Sequence, residues 1–282
     1  MSMSIPIKLL VKVDYDHPSP GLLQAIFKLI DEKTGLNYGM KVLNPLKYFG
    51  DYIRALQNRW RNKFVKYCMY VKGFGYVTTS QNIPKIEAIY QNHLKELQEF
   101  EKDLKEFLTT GKIEKLYYKR NPGKRAIWQS IDQVYAYINE ARRILEEREG
   151  IKWEDFVAKV VQKEVTKRFK IYYLPLLSLP PELADKVIPD KNLQRIFENQ
   201  IKTVLAELRE AILTELRGLK SDMINALKSG NVSYVHALIQ KMIRRIHDLG
   251  FEDYMRDTVE WLRENFLKVT DPSELTTKVE ML

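Results

Sequence analysis

One segment decides the fold class: residues 192–228, NLQRIFENQIKTVLAELREAILTELRGLKSDMINALK, near the end of a chain of 282 residues. Its apolar residues recur at steps of three, four and five, which keeps them on one face of an α-helix. A seam of about ten turns needs a partner along its whole length. We therefore expect one helix over 193–227 with a mainly buried seam, formed by Leu193, Ile196, Ile201, Val204, Leu208, Ile212, Leu216, Leu219, Met223 and Leu227.

Helices also follow this segment. Gly230 and Asn231 end it and begin a helix over 232–249, and Gly250 separates that helix from another over 251–269. We expect residues 270–282 to form a frayed tail. On the N-terminal side, the apolar stretch YLPLLSLPPELADKVIPD carries four prolines and predicts a hinge. The predicted organisation is an N-terminal region over 1–173, a hinge over 174–191, a helical bundle over 192–269 and a tail.

The N-terminal region alternates apolar and polar residues from Ile7 to Tyr15, which predicts a strand. Helical spacing then predicts helices over 22–33, 45–67, 84–108, 126–149 and 153–170. Helices of this length pack most economically as antiparallel hairpins. The fold class is therefore mainly α, with helical hairpins or a bundle, a coiled-coil-like pair and a small β element near the N-terminal part.

The octapeptide KGFGYVTT, residues 72–79, is close to the RNP1 signature of RNA-recognition motifs, except that Thr79 stands where an aromatic residue belongs. That fold orders its elements strand, helix, strand, strand, helix, strand. Here a long helix over 45–67 interrupts the order, and no strand is evident after the helix that begins at Pro84. We therefore expect a β-hairpin, YCMYV against YVTTS, that turns at Lys72–Gly75.

Composition limits the setting. The chain carries 46 basic and 37 acidic residues, a net charge of +9, which favours polyanionic partners without requiring them. Cys68 is its only cysteine, so we expect no intrachain disulfide and a cytosolic location. We expect neither a signal peptide nor a membrane span. The abundance of Lys, Glu, Ile and Tyr suits a thermophile.

Few residues indicate catalysis. Asp14 and Asp16 share a face of the first predicted strand, with His17 next, and such a trio can bind a divalent metal. Aspartates at a strand end before a proline-rich turn also serve backbone hydrogen bonds. No phosphate-binding loop, zinc pattern or nucleophile elbow is present. We expect no enzymatic activity and no cofactor.

Basic residues concentrate in two clusters, residues 41–72 and 112–125. Aromatic residues interleave with the second cluster and can stack on bases. Three interpretations remain open: a solvated helix rim, a nucleic-acid footprint, or a contact with a membrane or an acidic protein surface. The candidate nucleic-acid-binding residues are Arg54, Arg59, Arg61, Lys63, Lys66, Lys72, Tyr117, Tyr118, Lys119, Arg120, Lys124, Arg125 and Trp128.

Part of the chain resembles a helical family of phages, plasmids and archaeal viruses. The features are a helix with a basic, aromatic end (LNPLKYFGDYIRALQNRWRNKFVKYC), a strand-like link that contains glycine, and a helix that begins at Pro84 and is rich in Glu and Lys. The later helices from NLQRIFENQ to LRENFL are comparable. Members are often encoded near MoxR-type AAA ATPases. The resemblance implies a mobile-element protein, in the cytosol or associated with a virion, that works with such an ATPase.

These observations support three hypotheses. The first is a non-enzymatic helical protein of an archaeal virus or mobile element whose basic surface contacts nucleic acid without sequence preference. The second is an adaptor that binds an AAA ATPase, or a self-assembling structural protein. The third is a metal-dependent enzyme that uses Asp14, Asp16 and His17.

Overall fold

The structure, a computed structural model, describes residues 9–37, 47–110, 131–176 and 191–282. Helices dominate these residues, and a small antiparallel sheet includes strands from the N-terminal part of the chain. The predicted fold class, mainly α with a small β element, is therefore confirmed.

The elements follow the predicted order closely in the first half of the chain. Its helices are α1 (Leu22–Thr34), α2 (Lys47–Phe64), α3 (Ile83–Thr110), α4 (Ile131–Arg148) and α5 (Trp153–Glu164). The later helices are α6 (Lys191–Gly218), α7 (Lys220–Lys228), α8 (Val232–Asp248), α9 (Arg256–Leu262) and α10 (Pro272–Glu280). The strands are β1 (Leu10–Asp16), β2 (Met69–Val71), β3 (Gly75–Thr79) and β4 (Lys170–Leu176).

The predicted hairpin is confirmed. β2 and β3 pair antiparallel, with Val71 opposite Gly75, and the chain turns through the three residues between them. Gly73 and Gly75 have φ of 79° and 84°, a region that favours glycine. The amide of Phe74 donates to the carbonyl oxygen of Val71 at 3.0 Å, which closes the turn.

The prediction that no strand follows the helix beginning at Pro84 is wrong, because β4 forms at residues predicted as a helix end and a hinge. Its sequence KIYYLPL combines β-branched and aromatic residues, which suit a pleated surface. The strand order is β2-β3-β1-β4, so β4 is an edge strand and tolerates Pro175. Strands and helices thus follow the order of an RNA-recognition motif, with extra helices inserted.

The sheet nevertheless lacks an open aromatic face on β3. Tyr76 pairs with Val13 of β1, and both side chains point to the same face of the sheet. On that face Val13 is fully buried, as are its neighbours Val11 and Thr78. The ring of Phe64 contacts the Tyr76 ring edge-on, with centroids 5.0 Å apart. Tyr76 is half-buried and its partner Tyr70 on β2 is 62% exposed, so this face is covered at Val13 and partly open at the β2 edge of the sheet.

The chain folds into two compact units, neither of which is continuous in sequence. The helical unit comprises residues 15–37, 47–63, 88–110 and 131–171. The sheet unit comprises residues 9–14, 64–87, 172–176 and 191–282. Each unit buries its own set of apolar side chains.

In the helical unit, α1 packs against α4 and α5. The rings of Phe27 and Tyr137 stack with centroids 5.3 Å apart. The hydroxyl of Tyr137 donates to Oδ1 of Asp31 at 2.7 Å, which satisfies its polar end. The indole N–H of Trp153 donates to the carbonyl oxygen of Leu108 at 2.9 Å and ties the start of α5 to the end of α3.

In the sheet unit, one face of the sheet forms a core with the C-terminal helices, and α6 packs on β2. Each such buried aliphatic side chain contributes about 1.5–3 kcal/mol relative to exposure. The strand residues of this core are Leu10, Met69, Val71 and Val77. The helical residues include Val204, Leu208, Ile212, Leu216, Met223, Leu227, Val235, Ile239 and Ile246.

The seam predicted over 193–227 is buried from Val204 onward except at Leu219, which is half-buried, but the prediction of one helix is wrong. The chain forms α6 and α7, which meet at Leu219, where φ is −95° and ψ is −4°. Gly218 ends α6, and glycine weakens a helix at this point. At the other end of the seam Ile196 is 52% exposed.

The prediction of a frayed tail is also wrong, because residues 272–280 form α10. Asp271 caps this helix by accepting from the amide of Glu274 at 2.8 Å, and Pro272 occupies its first turn. Leu275 and Val279 are fully buried on its inner face. Of the predicted hinge, residues 177–190 lie outside the described residues.

Candidate nucleic-acid interface

The structure divides the first basic cluster between the two units. Arg54, Arg59, Arg61 and Lys63 lie on α2 in the helical unit, whereas Lys66 follows α2 and Lys72 lies in the hairpin turn, both in the sheet unit. All six are exposed except Lys63, which is half-buried. The predicted cluster is therefore not a single patch within either unit.

Part of this charge is balanced locally. Arg59 and Lys63 each lie 3.8 Å from a different carboxylate oxygen of Glu96 on α3. Such surface pairs contribute little to stability, but they reduce the positive potential available to a phosphate. α2 alone is therefore a weaker anion site than its sequence indicates.

The second basic cluster lies outside the described residues. Its role in nucleic-acid binding stays a prediction. Its candidate residues are Tyr117, Tyr118, Lys119, Arg120, Lys124, Arg125 and Trp128.

A recess in the sheet unit gathers cations that are distant in sequence. It has a volume of about 750 Å³, and five basic side chains but one acidic side chain line it. We call it the basic recess. Its cations are Lys66, Lys85, Lys241, Arg244 and Arg245, and Tyr67, Ala237 and Asp248 complete the lining.

One face of α8 supplies most of the recess. Ala237, Lys241, Arg244, Arg245 and Asp248 follow one another at helical spacing, so their side chains project from the same side. The opposite side of α8 buries apolar residues in the core of the sheet unit. The amphipathic pattern of α8 thus fixes the direction in which its cations point.

Buried hydrogen bonds hold the end of α8 against the start of α3. The side-chain amide of Asn82 donates to the carbonyl oxygen of Asp248 at 3.1 Å. The hydroxyl of Thr79 donates to the carbonyl oxygen of Leu249 at 3.0 Å. These bonds satisfy carbonyl groups that a helix end leaves unpaired. They also set Lys85, three residues beyond Asn82, beside the cations of α8.

The charge in the basic recess is only partly neutralised. Arg245 pairs with Glu215 at 3.0 Å, and Nζ of Lys85 lies 3.3 Å from Oδ1 of Asn82. Within residues 9–37, 47–110, 131–176 and 191–282, the other three cations, Lys66, Lys241 and Arg244, make no ion pair. Concave walls lined by one sign of charge concentrate the field and attract anions.

Sequence reasoning identified only Lys66 of the five cations. The available signal was KMIRR at 241–245, where three basic residues fall within five. Its spacing places them beside the apolar stripe of α8, where a solvated rim is the ordinary interpretation. The contribution of Lys85 depends on the hydrogen bonds of Asn82 and is invisible in sequence.

The predicted metal trio does not assemble. Nζ of Lys12 lies 2.9 Å from the carboxylate of Asp14 in an ion pair, and His17 contacts His93 instead of a carboxylate. Among the described residues, no three His, Cys, Asp or Glu side chains lie together as a metal site requires. Within the part of the chain that the structure describes, Asp14, Asp16 and His17 therefore do not form the ligand cluster that the third hypothesis requires.

Burial shifts the pKa of three titratable side chains. Burial raises the pKa of the Cys68 thiol, which keeps it protonated and unreactive. Burial lowers the pKa of His17, and it lowers the pKa of His93 to about 3, assisted by the charges of His17, Lys63 and Arg59. Aromatic rings of Trp60 and Phe169 pack around His93.

Among the described residues, no helix combines the length and the apolar character needed to cross a bilayer.

Comparisons of the chain with family models, with curated proteins and with solved structures found no match. The resemblance to the phage, plasmid and archaeal-virus family stays a prediction.

Proposed function

We propose that this protein binds nucleic acid, without catalysis and without sequence preference, by holding phosphate groups in the basic recess. The observation that supports the proposal is the convergence of five cations from three parts of the chain on one concavity with a single carboxylate. Nucleic-acid backbones present regularly spaced anions, and neutralising them releases counterions, which drives association.

The composition of the basic recess suits a phosphate backbone. An arginine can hold a phosphate through two parallel N–H groups, and a lysine adds a flexible point charge. Tyr67, whose ring lies 5.7 Å from Nζ of Lys85, offers a surface for a sugar or a base. Phosphate contacts set position and carry no sequence information, so indifference to sequence follows.

A purely structural role explains fewer of the cations. Arg245 lies in the last turn of α8, where positive charge complements the helix dipole. Lys66 and Lys85 belong to other elements and do not extend that helix. A stabilising role at the helix end thus accounts for Arg245 but not for the recess as a whole.

The test is fluorescence anisotropy with labelled duplex and single-stranded DNA across a salt series. Lys66, Lys241 and Arg244 are replaced together by alanine. If each cation meets a phosphate, the slope of log affinity against log salt on duplex becomes shallower by about 2.7. Folding should hardly change, because exposed charges contribute little to stability.

A matched control removes the same charge elsewhere on the sheet unit. Lys202, Arg209 and Lys228 are exposed, and within the described parts of the chain they make no ion pair. Their triple alanine variant should retain the parental slope. If both variants lose the same amount of salt slope, the effect depends on net charge and not on the basic recess. If the parent protein does not bind DNA at low salt, the proposed function is refuted.

Predictions from the sequence about location and partner extend this proposal. They place the protein in the cytosol or in a virion of an archaeal virus or mobile element, working with an AAA ATPase. Co-purification of the chain with a MoxR-type AAA ATPase, with and without DNA, tests that arrangement. The alternative, an adaptor or a self-assembling protein, gains support if the ATPase binds but DNA does not.

A further inference from the structure

A second cavity, in the helical unit, has no part in the proposed DNA contact. It lies between α1 and α5, and Ile151, two residues before α5, also lines it. Its volume is about 430 Å³. We call it the α1–α5 cleft. Its floor is apolar and consists of Leu29, Ile151, Phe156 and Val160.

The floor of this cleft is partly open to solvent. Leu29, Ile151 and Phe156 are half-buried, whereas Val160 is buried in the core. On the same helix Val157 and Val161 are buried in the core of the unit. The cleft therefore presents a shallow apolar surface that an additional apolar side chain would complete.

The rim of the cleft is cationic. Lys159 and Lys163 extend from α5 and Lys33 extends from α1, and all three are exposed. Among the residues that the structure describes, none of the three makes an ion pair. Asp155, one turn before Lys159, is the single acidic residue of the lining.

This pairing of an apolar floor with exposed lysines defines the complementary ligand. We propose that the α1–α5 cleft docks an acidic amphipathic helix of a partner protein. Lys159 and Lys163 are four residues apart, a separation of about 6 Å along α5. Carboxylates at positions i and i+4 of a docked helix match that separation, while apolar residues on its adjacent face cover Phe156 and Leu29.

A small amphiphile such as a fatty acid fits less well. Sites for small apolar ligands bury about 70–90% of the ligand, which requires an enclosed cavity. Here the floor residues remain partly exposed between two helices, so a bound acyl chain would keep much of its surface in water. A helix supplies its own polar face for the side that remains solvated.

A displayed library of random 16-residue peptides, panned on the full chain, tests the proposal. Counter-selection uses the variant Phe156→Asp, which places a charge on the floor, with circular dichroism to check that it folds. Enriched peptides should combine a helical apolar stripe with Asp or Glu at i and i+4, and they should not bind the variant. No enrichment over the variant, or enrichment of basic or non-helical peptides, would overturn the assignment.

A charge-reversed variant provides a measurement that does not depend on the floor. Lys159→Glu with Lys163→Glu changes only exposed side chains and should weaken an enriched peptide at least tenfold in fluorescence polarisation. Lys95→Glu with Lys102→Glu, both exposed on α3, makes the same charge change outside the cleft and should leave affinity nearly intact. Equal losses in both variants would contradict docking in this cleft. Competition by sodium laurate with no peptide enriched would assign the cleft to a small amphiphile and overturn the proposal.

Discussion

The imidazoles of His17 and His93 contact each other directly, with their Nε2 atoms 2.9 Å apart. His17 Nδ1 lies 3.0 Å from the carbonyl oxygen of Pro18, and His93 Nδ1 lies 3.2 Å from a carboxylate oxygen of Glu96. A carbonyl and a carboxylate only accept, so these three contacts need three N–H groups, whereas two neutral imidazoles carry two. The neutral pair is therefore one proton short of full hydrogen bonding.

The first prediction concerns the stability of the helical unit in acid. Burial holds the pKa of His93 at about 3, below its ordinary value of 6.5, so the unfolded chain binds the proton first. The free energy of unfolding therefore falls as the pH decreases from 6.5 towards 3. This ring contributes a slope of up to about 1.4 kcal/mol per pH unit. Urea unfolding from pH 4.5 to 7.5 measures it.

The variant His93→Gln isolates this contribution. It should be less stable than the parent near pH 7, because a fully buried ring is lost, and the difference should shrink as the pH falls. His247→Gln is the control, since the side chain of His247 is 74% exposed, and its curve should run parallel to that of the parent. A gap between His93→Gln and the parent that is constant with pH would disprove the assignment. The neighbouring charges of Glu96, Arg59 and Lys63 are unchanged in both variants.

The second prediction concerns Gly250, which follows α8 and the basic recess. Its φ is 73°, and a Cβ there would overlap the Gln81 side chain and lie 2.5 Å from Oγ1 of Thr79. Gln81 can move, but Thr79 is buried and hydrogen-bonded to Leu249. Gly250→Ala should therefore destabilise by about 1 kcal/mol for the backbone and by about 1–3 kcal/mol for the clash.

Gly35→Ala separates these two costs. Gly35 has φ of 74°, and among the described residues, apart from its chain neighbours, no atom lies within 4 Å of an added Cβ, so this variant has only the backbone cost. Thermal or urea unfolding of both variants gives the difference directly. If Gly35→Ala proves as destabilising as Gly250→Ala, the contact between the added Cβ at position 250 and Thr79 does not contribute to the loss of stability.

The sequence predicts elements well where local spacing decides them. The apolar spacing of residues 83–110 defines α3, and paired glycines define the hairpin turn at 72–74. It fails at β4, because KIYYLPL forms a strand through its place at the edge of the sheet, which a local pattern does not show. The sequence-based prediction also fails at α10. Its apolar pattern is short, and the helix is stabilised by burial of Leu275 and Val279 in the core, which the local pattern does not show.

The candidate site was less predictable than the fold for the same reason. A basic residue on a helix face has the same local pattern whether it meets water or a phosphate. The basic recess depends on contacts between residues more than 150 positions apart, such as Asn82 with Asp248. Conversely, Arg59 and Lys63 meet Glu96, a partner that spacing along α2 does not indicate.

The third prediction concerns the junction of α6 and α7. Gly218 has an ordinary φ, and no atom lies within 4 Å of an added Cβ. Gly218→Ala should therefore stabilise the protein by about 0.5–1 kcal/mol, because alanine favours the helix and restricts the unfolded chain. Gly230→Ala should have the opposite sign, since Gly230 has φ of 73° in similarly open space. If urea unfolding shows that both substitutions change the free energy of unfolding in the same direction, this explanation is wrong.

The last prediction concerns the second basic cluster. Replacing Lys119, Arg120, Lys124 and Arg125 together by alanine should make the salt slope of DNA binding shallower by up to about four, if all four meet phosphate. Because counterion release counts contacts, combining this variant with the triple variant of the basic recess should give the sum of the two slope changes if both sites bind one DNA molecule. Anisotropy across the same salt series measures all three proteins. An unchanged slope in the quadruple variant removes this cluster from the footprint. A combined change no larger than that of the recess variant alone would show that the two sites do not hold the same DNA at once.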